Sequence, residues 1–299
     1  MKAIWELIQC TILAIITYAC KTWNANKREI EKINRIMDNI LKRVLRTPQS
    51  TPREALYIDT GLLDPQTISM KQTIIMDHRL ATGNSNRLSR LVQAEGKQSW
   101  KELTDLMKTR LEITEEDSSG KPETVKYKIR KKARTYFKRK LVEDGQSKSK
   151  VQFLINGKGD QWEAGKTPQY MNELTRESVS IIFKTRTRMI DVKNNFRNKY
   201  PDLLCRACSN EPETQEHVLE EFTVLHQDDT SRVKAHEVFE EAPLVLKSTA
   251  RKVSETLQKL SEISPVITPN QVRTARCPPQ TGRAADSTDL TTTGLANVA

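Results

Sequence analysis

Aromatic residues make up only 5% of this 299-residue chain and apolar residues 36%, so a large fraction of it must be solvated surface, loop or tail, and the core is expected to be thin and helical. Cysteine is scarce and unpaired by spacing. Its five copies, Cys10, Cys20, Cys205, Cys208 and Cys277, are odd in number and do not form the framework of a disulfide-stapled secreted domain. A reducing, intracellular setting, nuclear or cytoplasmic, fits that usage. Long apolar runs are missing as well: residues 7–20, LIQCTILAIITYAC, are too short to span a bilayer, and no clear small-residue cleavage site makes them a signal peptide. No membrane role is expected. Positive charge is what the chain has in excess, with 49 Lys and Arg against 38 Asp and Glu, a net charge of +11. Such a balance favours a polyanionic partner, because cations that displace counterions from phosphates drive sequence-independent binding.

The hydrophobic period is that of helices, and no strand-type alternation is evident, which predicts an all-α fold. Residues from Ile4 to about Trp23 read as a helix apolar on nearly every side. Asn26 to Arg46 carries Ile30, Ile33, Ile36, Met37, Ile40, Leu41, Val44 and Leu45 at three- and four-residue spacing, a helix of about 30 Å at 1.5 Å per residue. Thr47-Pro48 stops it. Thr51 as N-cap and Pro52 at the first position open a short helix that Gly61 closes, and Asp64-Pro65 opens another to about Leu80. Further helices are expected at Asn86 to Ala94, Ser99 to Leu111, Pro122 to Val142, Pro168 to about Asn194, Ser231 to Glu240 and Leu244 to Glu262, with a Gly-containing connector from Asn156 to Gly165. This divides the chain into a helical region at 1–115, a basic helix and linker at 116–165, a second helical region with a Cys/His cluster at 166–263, and a Pro-, Thr- and Ser-rich tail at 264–299, read as disordered.

Three groups of residues carry chemistry. Cys205-Arg-Ala-Cys208 followed by His217 has the spacing of a zinc turn, two thiolates on one tight turn and an imidazole at the start of the next helix. Phenylalanine stands at position 222, where a fourth ligand would complete the set, so zinc binding is expected to be weak or absent; His226 is a substitute at doubtful reach. The second group is Lys126, Lys128, Arg130, Lys131, Lys132, Arg134, Lys138, Arg139 and Lys140, with no acid among residues 126–140. Val125, Ile129, Ala133, Tyr136, Phe137 and Leu141 run beneath them at helical spacing, so these cations fan over a solvent face suited to a phosphate backbone or simply to water. The third is Lys184, Arg186 and Arg188, leading to Lys193, Arg197 and Lys199. The interleaved Phe183, Phe196 and Tyr200 either stack on unpaired bases or belong to the core.

The run TYACKTWNANKREIEKINRIMDNILKRVLRTPQSTPREALYIDTGLLDP resembles the segment after the palm of non-LTR (LINE-type) retrotransposon reverse transcriptases, where an apolar helix, an amphipathic thumb helix and a "TP..AL..E.G" turn follow one another. Phe183-Lys-Thr-Arg186-Thr, then Cys205, Cys208 and Glu213-Thr-Gln-Glu-His217, resemble the stretch leading into the CCHC zinc knuckle of the same polyproteins. The resemblance covers about residues 10–260 in the expected order. It implies a thumb-like helical bundle, linker and degenerate knuckle that bind RNA and DNA backbones, alongside the rest of a reverse transcriptase. The parent activity is RNA-directed DNA polymerisation, yet no hydrophobic-Ala-Asp-Asp motif is present, and Asp228-Asp229 lies in a polar stretch. Without paired aspartates there is nothing to hold two catalytic metal ions. The expectation is therefore a non-enzymatic nucleic-acid-binding remnant from a truncated or decayed reading frame. The competing reading is a helical protein-interaction module with no nucleic-acid role, and a catalytic zinc enzyme is disfavoured because no acid or base accompanies the Cys/His cluster.

Overall fold

The computed structural model describes residues 2–15, 18, 27–82, 98–160, 162–200, 202–221 and 231–263. Among these residues the chain is all-α, with one isolated antiparallel bridge, Leu204 to Pro212, as its sole β feature. The helices are α1 Lys2–Leu7, α2 Lys27–Val44, α3 Arg53–Thr60, α4 Pro65–Thr82, α5 Gln98–Arg110, α6 Glu115–Ser118, α7 Pro122–Gly145, α8 Ser149–Lys158, α9 Tyr170–Glu173, α10 Arg176–Arg186, α11 Ala235–Phe239 and α12 Pro243–Ile263. Wider π-helical turns continue α1 over Ile8–Leu13 and form His217–Glu221. The helix expected at Asn86 to Ala94, the apolar stretch beyond Tyr18 and the tail at 264–299 lie outside the described residues.

Local chemistry sets most of the boundaries. Asp64 caps α4 by accepting the Thr67 N–H at 2.8 Å, and Gly61 ends α3 at φ +67°, a left-handed conformation that glycine adopts without a side-chain clash. A side chain there would also meet Lys166 O at 2.0 Å. Thr51 is not the cap of α3. Its hydroxyl donates back to Pro48 O at 2.6 Å, and Pro52 takes the cap position. The helix expected from Pro168 to Asn194 is broken, because Thr175 turns its side chain to accept the Ser178 N–H and starts α10 afresh. The first three residues of the expected connector, Asn156 to Lys158, instead finish a helix, since Val151 and Leu154 draw α8 into the core.

Tertiary packing crosses the boundaries drawn from sequence. One core joins Trp5 and Ile8, Met37, Leu41 and Leu45 of the α2 segment, Leu56 and Tyr57 of α3, Phe137 and Leu141 of α7, Leu154 of α8, Ile182 and Phe183 of α10 and Leu246 of α12. Residues 1–263 accordingly form a single compact unit. A second cluster, Met70, Ile74, Ile75, Leu111, Val125, Ile129 and Ala133, clamps the first half of α7 between α4 and α5. A third, Ile190, Val192, Val218, Leu219, Val233, Val238, Val253 and Leu260, supports the Cys/His segment. The expectation that the first helix is apolar on nearly all sides and buried holds for one face: Trp5 and Ile8 are covered, whereas Leu7 and Ile15 are 62% and 64% exposed.

Candidate functional site

The Cys/His segment is a hairpin held by its backbone. Cys205 N–H donates to Glu211 O at 2.7 Å, Glu213 N–H to Leu203 O at 2.7 Å, and Ser209 N–H closes the turn on Cys205 O at 2.8 Å. Ser209 sits at φ +56°, a left-handed position unusual for a residue other than glycine and worth its strain only where the turn geometry is needed. Thr214 then starts the following helical turn: its carbonyl accepts the Val218 N–H and its hydroxyl the His217 N–H, both at 3.1 Å. These two local structures bring Cys205, Cys208 and His217 together, with all three potential ligand atoms within 4.8 Å of one another.

The donor geometry fits a metal ion. Cys208 Sγ lies 3.5 Å from His217 Nε2, close to the ~3.6 Å edge of a tetrahedron whose metal–sulfur and metal–nitrogen bonds are about 2.3 and 2.0 Å. Backbone N–H groups of Asn210 and Glu211 pull the Cys208 thiol down to about 7, which favours the thiolate needed for ligation. Burial pushes the Cys205 thiol up, against donation from the Cys208 and Ala207 amides. On the far side of the ring, His217 Nδ1 stands 3.0 Å from Glu211 and 3.9 Å from Glu221. Those carboxylates lie on the Nδ1 side of the ring, whereas the Cys208 thiol meets Nε2, and with His217 they form a second group whose possible ligand atoms lie within 4.8 Å of one another. Positions 222 and 226 lie outside the described residues.

Beneath the hairpin, Glu213 is a residue whose structural role the sequence did not reveal. Its buried carboxylate receives Arg206 Nε and Nη2, at 2.8 and 2.6 Å, and the Lys193 and Arg206 backbone N–H groups at 2.9 Å each. Burial alone would raise its pKa, but the Arg206 hydrogen bonds outweigh it and keep the acid low. An acid one residue after the paired Pro212 and a guanidinium inside the Cys-x-x-Cys turn are the only signal of this clamp.

The basic helix α7 splits its cations into two sets. Lys126 pairs with Glu123, Lys132 with Asp117, Arg139 with Glu112 and Glu143, and Lys140 with Asp64. Lys128 donates to Glu116 O, and Lys138 to Asp160 O while lying 5.1 Å over the Trp162 ring. Among the described residues, Arg130, Lys131 and Arg134 stand in no ion pair, and all three are exposed. Sequence reasoning missed Lys71 on α4, half-buried beside them. Burial and then the nearby Arg130 and Arg134 lower its pKa.

The third group is not a surface group as a whole. Arg186, expected to hold phosphate, is completely buried: Nη1 donates to Asp59 at 2.8 Å and to the Tyr170 hydroxyl at 3.0 Å, Nε to Val238 O at 2.7 Å and Nη2 to Glu240 O at 3.0 Å. Lys158 completes the cluster, 3.1 Å from Asp59 and 2.9 Å from Glu241. Arg188 stacks 4.1 Å above Phe153 and pairs with Glu216, leaving Lys184 half-exposed. Phe183 is core, and Phe196 and Tyr200 are half-buried, taken up by Lys199 at 5.1 Å and Arg206 at 5.9 Å.

Comparison with protein-family models, curated proteins and solved structures finds no match to the chain. Among the described residues no helix is long and apolar enough to cross a membrane.

Proposed function

We propose that the chain binds nucleic acid through α7, as a module of the thumb-to-knuckle type found in non-LTR retrotransposon reverse transcriptases, and that it does so without polymerase chemistry of its own. The observation that carries this reading is the exposed, uncompensated trio Arg130, Lys131 and Arg134 on a helix whose other face is locked into two cores. Like charges held on a rigid element repel one another until a polyanion offsets them. The family resemblance has support of a second kind. Its two halves meet inside the fold: Asp59 occupies the acidic position of the "TP..AL..E.G" turn and bonds Arg186 of the Phe183-Lys-Thr-Arg186-Thr stretch at 2.8 Å. The sequence has no hydrophobic-Ala-Asp-Asp motif, so the reading is one of binding. RNA and DNA backbones are the partners, with the rest of a reverse transcriptase as the protein neighbour.

Zinc is the ion that two thiolates and an imidazole suit best. Cys205, Cys208 and His217 would hold it and so tie the hairpin to the following helix. With three protein ligands it should leave readily to a mild chelator, and Phe222→Cys should retain one equivalent firmly; tight zinc in the natural chain would mean that another residue, such as His226, completes the set.

The deciding experiment is fluorescence anisotropy of labelled RNA and DNA oligonucleotides titrated with the full chain from about 50 to 300 mM salt. Log affinity should fall linearly with log salt, by about 0.7 to 0.9 per phosphate neutralised. Absent binding, or an affinity indifferent to salt, overturns the reading in favour of a helical protein-interaction module, for which the exposed Leu7, Ile15 and Leu244 would be the contacts.

A further inference from the structure

The cations of α7 differ in whether the fold has already used them, and the difference has a spatial order. Lys128 and Lys132 lie one turn apart on the flank facing α6, where Glu116 O and Asp117 receive them. Arg130 and Arg134 lie one turn apart on the other side, toward α4, which packs along α7 through Met70, Ile74 and Ile75. What α4 presents to them is Lys71, another cation. Arg134 lies over Gly165, where an added Cβ would meet its Nε at 2.9 Å. Among the described residues no acid is paired with any of the three. Three cations converging without an acid raise the free energy of the empty protein, a cost that an anion removes.

Beside this cluster stands Tyr127, 65% exposed and one turn before Arg130 and Lys131 on the same outward side. An exposed ring next to uncompensated cations is the arrangement that stacks an unpaired base while its phosphates are held. The line ends at Lys138, which is drawn down onto Trp162 and Asp160 O. From position 127 to 134 the helix rises about 10 Å, room for two or three phosphates of an extended strand.

We propose that Lys71, Arg130 and Arg134 form a preassembled phosphate-binding cleft between α4 and α7, with Tyr127 as a stacking platform, and that it takes a single-stranded nucleic-acid segment. The proposal rests on the nucleic-acid reading above and adds to it a place, a strand state and a residue, Lys71, outside the basic helix. The α7 cations that already have partners, Lys126, Lys128, Lys132, Lys138, Arg139 and Lys140, contribute little to the bound strand.

The test compares two variants of the full chain with equal loss of charge, K71Q/R130Q/R134Q and K128Q/K132Q/R139Q, binding a fluorescein-labelled 20-nucleotide RNA of mixed sequence. The first should lose at least tenfold in affinity at about 0.1 M salt and flatten the log–log salt slope by about two; the second should lose less than threefold. Tyr127→Ala should weaken single-stranded RNA about fivefold and leave a duplex of the same sequence unchanged. In the absence of RNA, Lys71→Gln should melt no lower than the natural chain, because it removes a repulsion. Equal losses in the two triple variants would show that net charge alone binds the strand and would overturn the cleft while leaving the nucleic-acid reading intact. A duplex loss at Tyr127→Ala equal to the single-strand loss overturns the strand assignment, and a lower melting temperature for Lys71→Gln makes the cluster a structural one. Failure of the natural chain to bind RNA at all overturns both readings together.

Discussion

Arg134 and Arg186 belong to basic runs that look alike in the sequence, and the fold treats them in opposite ways. Arg134 rides on a helix whose core stripe, Val125, Ile129, Ala133 and Phe137, lies on another face, so its charge stays outside. Arg186 ends a helix whose neighbours Ile182, Phe183 and Thr185 are buried on several sides, and it goes in with them. A buried guanidinium is tolerable only when nearly all its donors are met. Asp59, Tyr170, Val238 O and Glu240 O meet them. Positive charge thus performs two tasks in one chain, joining distant segments where acids await it and staying available where they do not.

The sharpest way to break this comparison is to remove one partner of the buried set. Arg186→Met should destabilise the protein by about 3 to 5 kcal/mol, since it leaves Asp59 buried beside a single cation, as read by urea denaturation. An effect under 1 kcal/mol would show that the cluster is not what joins α3, α9 and α10. A smaller effect is expected from pH. Burial would raise the Asp59 pKa, but Lys158 and Arg186 outweigh it and bring it below the ordinary value. A lowered folded-state pKa means that the stability from this acid is complete above about pH 4, its unfolded range, and is lost as pH falls through the folded value. The melting temperature of the natural chain should therefore drop more steeply below pH 4 than that of Asp59→Asn; parallel curves would contradict the assignment.

On the outer surface the same measurements should barely move. Changing Lys131, Lys132, Arg134 and Lys138 to Gln should weaken nucleic-acid binding to all sequences alike, by about one unit of salt slope per lost phosphate contact, while Lys132 and Lys138, already engaged with Asp117 and Asp160 O, contribute least. Unchanged affinity would remove α7 from the interface. The smallest expected effect is that of Lys131→Gln on folding, within about 0.5 kcal/mol by thermal melting. A larger loss would mean that the exposed set is structural after all.

The all-α class, the start of α4 at Asp64-Pro65, the stop at Gly61 and the extent of α7 follow from capping chemistry and the 3.6-residue period, both of which act within a few neighbouring residues. The coming together of Cys205, Cys208 and His217 was legible for the same reason, because a tight turn and the first turn of a helix span short stretches of chain. Tertiary structure alone decided the rest. Whether a cation is solvated depends on what lies across from it, and for Arg186 that is Asp59, 127 residues away in sequence. Helix α8 and the fusion of the expected regions into one unit depend likewise on which apolar faces found each other. Lys71 carries no signal in its own neighbourhood, since only the packing of α4 on α7 places it beside Arg130 and Arg134. Local rules set what each segment becomes, whereas burial, and with it the use made of each charge, is a property of pairs of segments and is fixed when they pack.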